Sequence, residues 1–201
     1  MPKCIECSNM TTYENWLCYS CYQKKQKSHV YTDNHPSGLS YNDWIFHYNM
    51  IKGRIAETLI QELFLQLKFN VYRYGMENTI PGIMELLRHD NSSVASSIRS
   101  MPDFVIQNST SKEIRLLEVK FRANGSFKIN ELIKNYPWED AYIILVSKVS
   151  IKCITYKELK EGGEITATSD NHLYDRIEFS NDKAVIIEFC NFATRFFACV
   201  N

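Results

Sequence analysis

The sequence predicts a mixed α/β (α+β) fold, a central sheet flanked by helices, behind a small cysteine-bearing module at the N-terminus. Three observations carry this. Four of the seven cysteines fall within the first 21 residues. An apolar residue then recurs at every fourth position through Ile51, Ile55, Leu59, Leu63 and Leu67, the repeat of an amphipathic helix. Beyond it, short apolar runs separated by polar turns follow the order helix, strand, hairpin, helix, strand, which makes a mixed sheet.

Composition bounds the answer. With 201 residues, 45% hydrophobic, 23% charged, 7 Gly and 5 Pro, the chain is globular, of a size for one large domain plus an appendage. Collagen-like, low-complexity and wholly disordered chains are excluded. Lys and Arg together number 23, as do Asp and Glu, so bulk charge draws the chain to no polyanion and any such partner must be met by a local patch. Apolar runs such as 142–146 fall far short of the ~18 residues of a spanning helix. The opening Met-Pro-Lys-Cys-Ile-Glu-Cys lacks the apolar stretch of a signal peptide. The expectation is a soluble intracellular protein.

Residues 1–27 form the first module. Cys4 and Cys7, then Cys18 and Cys21, make two C-x-x-C pairs separated by ten residues. A two-residue gap lets one tight turn aim both thiolates at a single tetrahedral ion, and two such knuckles close a Cys4 zinc site with no open position. So short a segment buries too little apolar surface to fold alone, so zinc binding would supply its folding energy. Trp16, Leu17, Tyr13 and Tyr19 could cover the metal. Residues 1–30 carry four bases against two acids, so this zinc ribbon suits either a phosphate backbone or a docking role.

Residues 28–43 are polar, contain Pro36 and Gly38, show no period and read as a linker; its His29 and His35 read as solvated. Residues 44–201 form the larger domain. Its first helix runs from Trp44, with Ala56, Ile60 and Phe64 widening the apolar stripe. At 100° per residue the stripe from Ile55 spans about 180°, and Glu57 lies roughly 20° past Phe64, at its rim. On this helix alone Glu57 reads as solvated. A strand at 70–74 ends at Gly75, a helix covers 83–87, and a turn of helix is expected near Ser96. Strands at 103–107 and 113–121 flank the polar turn 108–112 and make a hairpin. An amphipathic helix follows over 129–136, stopped by Pro137. Buried strands are expected at 141–147 and 151–155, and a short helix over 156–161 ends at Gly162-Gly163. Residues 183–197 form a closing strand or helix. Cys153, Cys190 and Cys199 read as core, and the aromatic tail 189–197 as core or a dimer face.

Chemistry concentrates in the hairpin. Centring its turn on Thr110-Ser111 sets Asp103 opposite Glu118, with cross-strand Cβ atoms about 5 Å apart, near enough to share a divalent cation. Glu118 and Lys120 are two apart in one strand and leave the same face. Hard oxygen donors of this kind suit Mg²⁺ or Mn²⁺, and a lysine beside a metal-bound water can orient or deprotonate it. One residue of slip would send Asp103 to the other face.

Pro102-Asp103, followed after fourteen residues by Glu118-Val119-Lys120, resembles the PD-(D/E)xK signature of the restriction-endonuclease-like nucleases. Gly53-Arg-Ile-Ala-Glu57 is similar to that family's first core helix, and the element order over residues 44–147 to its αβββαβ core. The resemblance implies a Mg²⁺-dependent DNA nuclease, with RNA as the other candidate substrate, in the cytoplasm or at the nucleoid. Asp103, Glu118 and the backbone carbonyl of Val119 would ligate the metal, Glu57 would complete its shell, and Lys120 would position or activate the attacking water. Arg122 and Lys128 continue from the active strand. Residues 112–134 hold six bases against three acids, which would steer a phosphate backbone. The Gln found after the lysine in recombination-type relatives is missing from 130–136. The rival expectation is a non-catalytic nucleic-acid-binding or adaptor protein that keeps the fold and recognises its partner through the zinc ribbon.

Overall fold

The computed structural model describes residues 40–76, 80, 82–87, 89–132, 136–179 and 182–198. Cys4, Cys7, Cys18, Cys21, the linker up to residue 39 and Cys199 lie outside the described residues. The chain divides into two units, residues 1–50 and 51–201.

Of the first unit, 40–50 are described. Here helix α1 (Tyr41–Gln66) begins, three residues earlier than the apolar repeat suggests. The cause is a cap: Ser40 Oγ accepts from the Asp43 N–H at 3.2 Å and donates to the Asp43 carboxylate at 2.7 Å, satisfying an N–H that the helix leaves open. Trp44 stacks on Tyr48 at 6.3 Å between ring centres.

The second unit is an α+β structure built on a five-stranded mixed sheet, β1 (Phe69–Arg73), β2 (Phe104–Asn108), β3 (Ile114–Phe121), β4 (Ala141–Val146) and β5 (Ile151–Thr155). Spatial order equals chain order; every neighbouring pair is antiparallel except β3 with β4. Between β1 and β2 lie α2 (Ile83–Leu87) and α3 (Ser93–Arg99), the latter capped by Ser92. Helix α4 (Tyr156–Lys160) follows β5, and α5 (Lys183–Phe197) closes the domain, deciding the strand-or-helix choice left open at 183–197.

The hairpin turn is built by its own residues. The Asn108 carboxamide accepts from the N–H groups of Thr110 and Ser111 at 2.9 and 3.0 Å, and Lys112 takes a left-handed conformation at φ +63°. At the end of α4, Gly162 sits at φ +93°, and a Cβ on Gly163 would stand 2.8 Å from the Glu158 carbonyl oxygen, so the Gly-Gly pair stops the helix for steric reasons.

Period-2 alternation in the strands sorts side chains to two faces. On one face Phe104, Ile106, Leu117, Val119, Ile144, Val146, Ile151 and Cys153 pack under α1 and α5. Phe64, Phe69 and Phe179 meet edge to face there at 5.1 to 6.2 Å, worth ~1 kcal/mol per pair beyond area burial. Cys153 is the expected core residue, and burial pushes its thiol up to about 12. Of the aromatic tail, Phe197 is buried, while Phe192 and Phe196 line an open groove of about 940 Å³ with Ile51, Ile55 and Leu59 of α1.

The opposite face is covered by the segment between β3 and β4 together with α4 and the loop after it. Phe127, Ile143, Leu145, Ile154, Leu159 and Ile165 form one cluster there, and Tyr136, Ala141 and Tyr156 another. The helix expected over 129–136 is not formed in the described part of that segment. Ile129–Glu131 is a single 3-10 turn, and Leu132 is extended. Glu131 folds back to accept from the Lys128 N–H at 3.1 Å, while Leu132 packs against both clusters, so local capping and tertiary burial end the turn. Among the described residues no helix is long and apolar enough to cross a membrane.

Candidate active site

The β2–β3 register places Phe104 opposite Leu117 and Val105 opposite Leu116. Carried one residue further it sets Asp103 opposite Glu118, the pairing expected from the turn. Asp103 stands just ahead of β2, where its carbonyl accepts from the Tyr74 N–H at 2.9 Å and ties it to the end of β1. Its carboxylate accepts from the Val119 N–H at 2.7 Å. Within a strand the N–H and C=O of one residue point to the same side, so the Val119 carbonyl also points past the end of β2. Its register partner is Pro102, which has no N–H to donate. The proline therefore leaves a main-chain oxygen unclaimed by the ladder beside two carboxylates.

Glu118 is buried, and its carboxylate forms an ion pair with the Lys120 ammonium on the same face. Burial raises the Asp103 carboxyl well above the usual carboxylate range; the Glu118 charge adds to this, Lys120 opposes it, and Glu57 adds a smaller push. Burial works against charge on Lys120, but Glu118 and Asp103 outweigh it and hold the ammonium above the ordinary lysine range.

These three side chains line a cavity of about 110 Å³, closed by Arg99, Ser100, Met101, Glu131, Leu132 and Tyr136. Arg99 is fixed through the carbonyls of Leu87 and Asp90 at 2.6 and 2.8 Å. Tyr136 is missed by sequence reasoning, because the spacing over 129–136 reads it as the end of an amphipathic helix and gives it no chemical role. Its ring is buried against Tyr156. Burial first, then the Glu118 and Asp103 charges, raise its phenol far above the usual range.

The other expected site residues do not line the cavity. Glu57, read from the helix alone as solvated, is buried, because α1 lays its rim against the sheet; it pairs with Arg73 at 3.5 Å and does not line the cavity. Arg122 pairs with Glu131 at 2.7 Å and lies over the Phe127 ring, and Lys128 pairs with Glu164 at 2.7 Å. Among the described residues, no three His, Cys, Asp or Glu side chains form a ready cluster for a metal ion.

The Asp103–Glu118 pair with the Val119 carbonyl nevertheless fits a hard divalent cation. Two carboxylates and a carbonyl are oxygen donors of the kind Mg²⁺ and Mn²⁺ take alongside water and substrate oxygens. Burial and the neighbouring Glu118 charge raise the Asp103 carboxyl against the opposing pull of Lys120, so a cation seated between the two carboxylates would relieve their repulsion. Comparison with protein-family models, with curated proteins and with solved structures found no match to this chain.

Proposed function

We propose that this chain is a metal-dependent DNA nuclease of the PD-(D/E)xK type, hydrolysing phosphodiester bonds with water. The observation that carries the reading is the gathering of Asp103, Glu118, Lys120 and the Val119 main chain at one small cavity. The order α1, β1, β2, β3, crossover, β4 supports an αβββαβ core, with the described part of the crossover reduced to a 3-10 turn. Bound between Asp103 and Glu118, a divalent cation would supply Lewis acidity and a water of lowered pKa. Asp103 and Glu118 would supply the carboxylate oxygens that hold the cation. Lys120, paired with Glu118, would position or activate the attacking water.

The test is a panel of single-stranded, duplex and four-way-junction DNA with and without Mg²⁺. Cleavage that needs Mg²⁺ and stops with chelator is expected. A second reading, a nucleic-acid-binding or adaptor protein without catalysis that recognises its partner through the zinc ribbon, draws on Arg122 and Lys128 being engaged by Glu131 and Glu164. Binding across the panel without metal-dependent cleavage would establish that reading instead.

For residues 1–27 we propose a structural zinc held by Cys4, Cys7, Cys18 and Cys21. Elemental analysis is expected to give one zinc per chain, and Cys18→Ser to lose it, because three thiolates no longer close the tetrahedron. Full zinc content in that variant would remove the assignment.

A further inference from the structure

Helix α5 carries more apolar surface than the core takes up. Ile186, Ala193 and Phe197 are buried, yet Phe192 and Phe196, one turn apart, stack on each other at 5.9 Å and stay 51% and 44% exposed. On the α1 side of the same groove stands Ile51, 53% exposed. An open apolar groove of about 940 Å³ marks an interaction surface on a chain of this size. Its polar lining residues are all exposed, whereas a small-molecule site sets a few of them inside the pocket. An apolar centre with a polar rim is the anatomy of a protein interface.

The charges on that rim are sorted by end. Phe64 of α1 packs on Phe179, which packs on Tyr142 near the start of β4, whereas Phe197 of α5 packs on Phe121 at the end of β3. Because β3 and β4 run parallel, these are opposite ends of the sheet, and α1 and α5 cross it in opposite directions. Arg54, early in α1, and Arg195, late in α5, therefore share one end of the groove, and Glu62 and Glu188 share the other. At 1.5 Å per residue, base and acid stand about 12 Å apart along α1 and about 10.5 Å apart along α5, so the two spans match. A groove with bases at one end and acids at the other becomes its own complement after half a turn. We propose that a second copy of this chain seats on the groove about a two-fold axis through its centre, with the Phe192–Phe196 stacks meeting there and Arg54 and Arg195 of each copy set against Glu188 and Glu62 of the other. A partner of uniform charge meets repulsion at one end; a rotated copy meets attraction at both. The pairing stands whether or not the chain cleaves DNA.

The experiment is sedimentation of the full-length chain across micromolar concentrations, with two charge variants. Arg54→Glu/Arg195→Glu makes both ends of the groove acidic, and Glu62→Lys/Glu188→Lys makes both basic. All four side chains are exposed, so melting temperatures should match wild type. The wild-type chain should dimerise. Alone, each variant should self-associate roughly tenfold more weakly or worse, since exposed contacts at both ends turn from attraction to repulsion. Mixed in equal amounts, the two variants should form a heterodimer of about wild-type strength, because every acid then faces a base. Phe192→Ala should weaken the dimer through its apolar centre. A wild-type chain that stays monomeric would overturn the proposal and leave the groove to a different partner. Variants that dimerise as wild type does would also overturn it, by placing the contact elsewhere, as would a mixture that associates no more tightly than its components.

Discussion

Asp103→Asn is expected to reduce Mg²⁺-dependent cleavage about a thousandfold, the rate equivalent of the several kcal/mol that a metal's charge stabilisation supplies. The amide oxygen can still accept from the Val119 N–H, so the hairpin keeps its register. What disappears is one negative oxygen donor of two, so Mn²⁺ affinity should fall with the rate. The stability change has the opposite sign. Burial and Glu118 raise the Asp103 carboxyl above its unfolded value, so in the folded state its ionisation is a cost. That cost grows as pH rises from the unfolded carboxyl range through the raised folded value. At neutral pH without metal, Asp103→Asn should therefore melt no lower than wild type, and Mg²⁺ should raise the melting temperature of wild type alone. Lys120→Ala should likewise abolish cleavage, while Mn²⁺ binding persists. Full cleavage in either variant would refute the assigned roles.

The second large effect is on stability. Lys152 is buried within β5, and its ammonium donates to three main-chain carbonyls, those of Thr166 at 2.7 Å, Ala167 at 2.9 Å and Ser169 at 2.7 Å. An ammonium has three N–H groups, and here each has an acceptor. Burial lowers its pKa, and Asp170 pulls the other way. Lys152→Met keeps the apolar stem but strips three acceptors of their donor, at a cost of about 3 kcal/mol from hydrogen bonds to a charged group. For a domain of this size that is a fall of roughly 6–12 °C in melting temperature. The damage should be local first. The loop pinned by Lys152 carries Ile165, which bridges to Phe127 and so holds the cover that leads into Glu131 and Leu132 at the cavity wall. Melting temperature and hydrogen exchange at 163–171 would check this; unchanged protection there would contradict the role given to Lys152.

The hairpin was legible in the sequence because its signal is local: two alternating apolar runs around Asn-Ser-Thr-Ser-Lys define both turn and register, and Asp103 falls opposite Glu118 as expected. The buried strands and the long helix were legible for the same reason. What could not be read depended on partners distant in the chain. Glu57 sits on the rim of its helix in either reading, and only the sheet packed beside it makes that rim buried. The segment 129–136 has a helical apolar spacing, but over its described residues 129–132 the capping by Glu131 and the burial of Leu132 on the sheet override it. Lys152 breaks an apolar strand and reads there as an exception; its reason lies in carbonyls fourteen to seventeen residues later.

The coincidence of spatial and chain order in the sheet bears on how the molecule assembles. Each strand after β1 pairs with the one just before it, so no ladder waits for a strand beyond the next one, and the longest closure is the β1–β2 connection over residues 74–103. During synthesis from the ribosome, a new strand finds its neighbour already present and adds to a growing edge. Residues 173–197 must reach back to α1: Phe179 meets Phe64, and Ile186, Ala193 and Phe197 of α5 enter the same core as the apolar stripe of α1. Until residues 173–197 emerge, that face of the sheet stays incompletely covered, which makes their docking on α1 the step that closes this core.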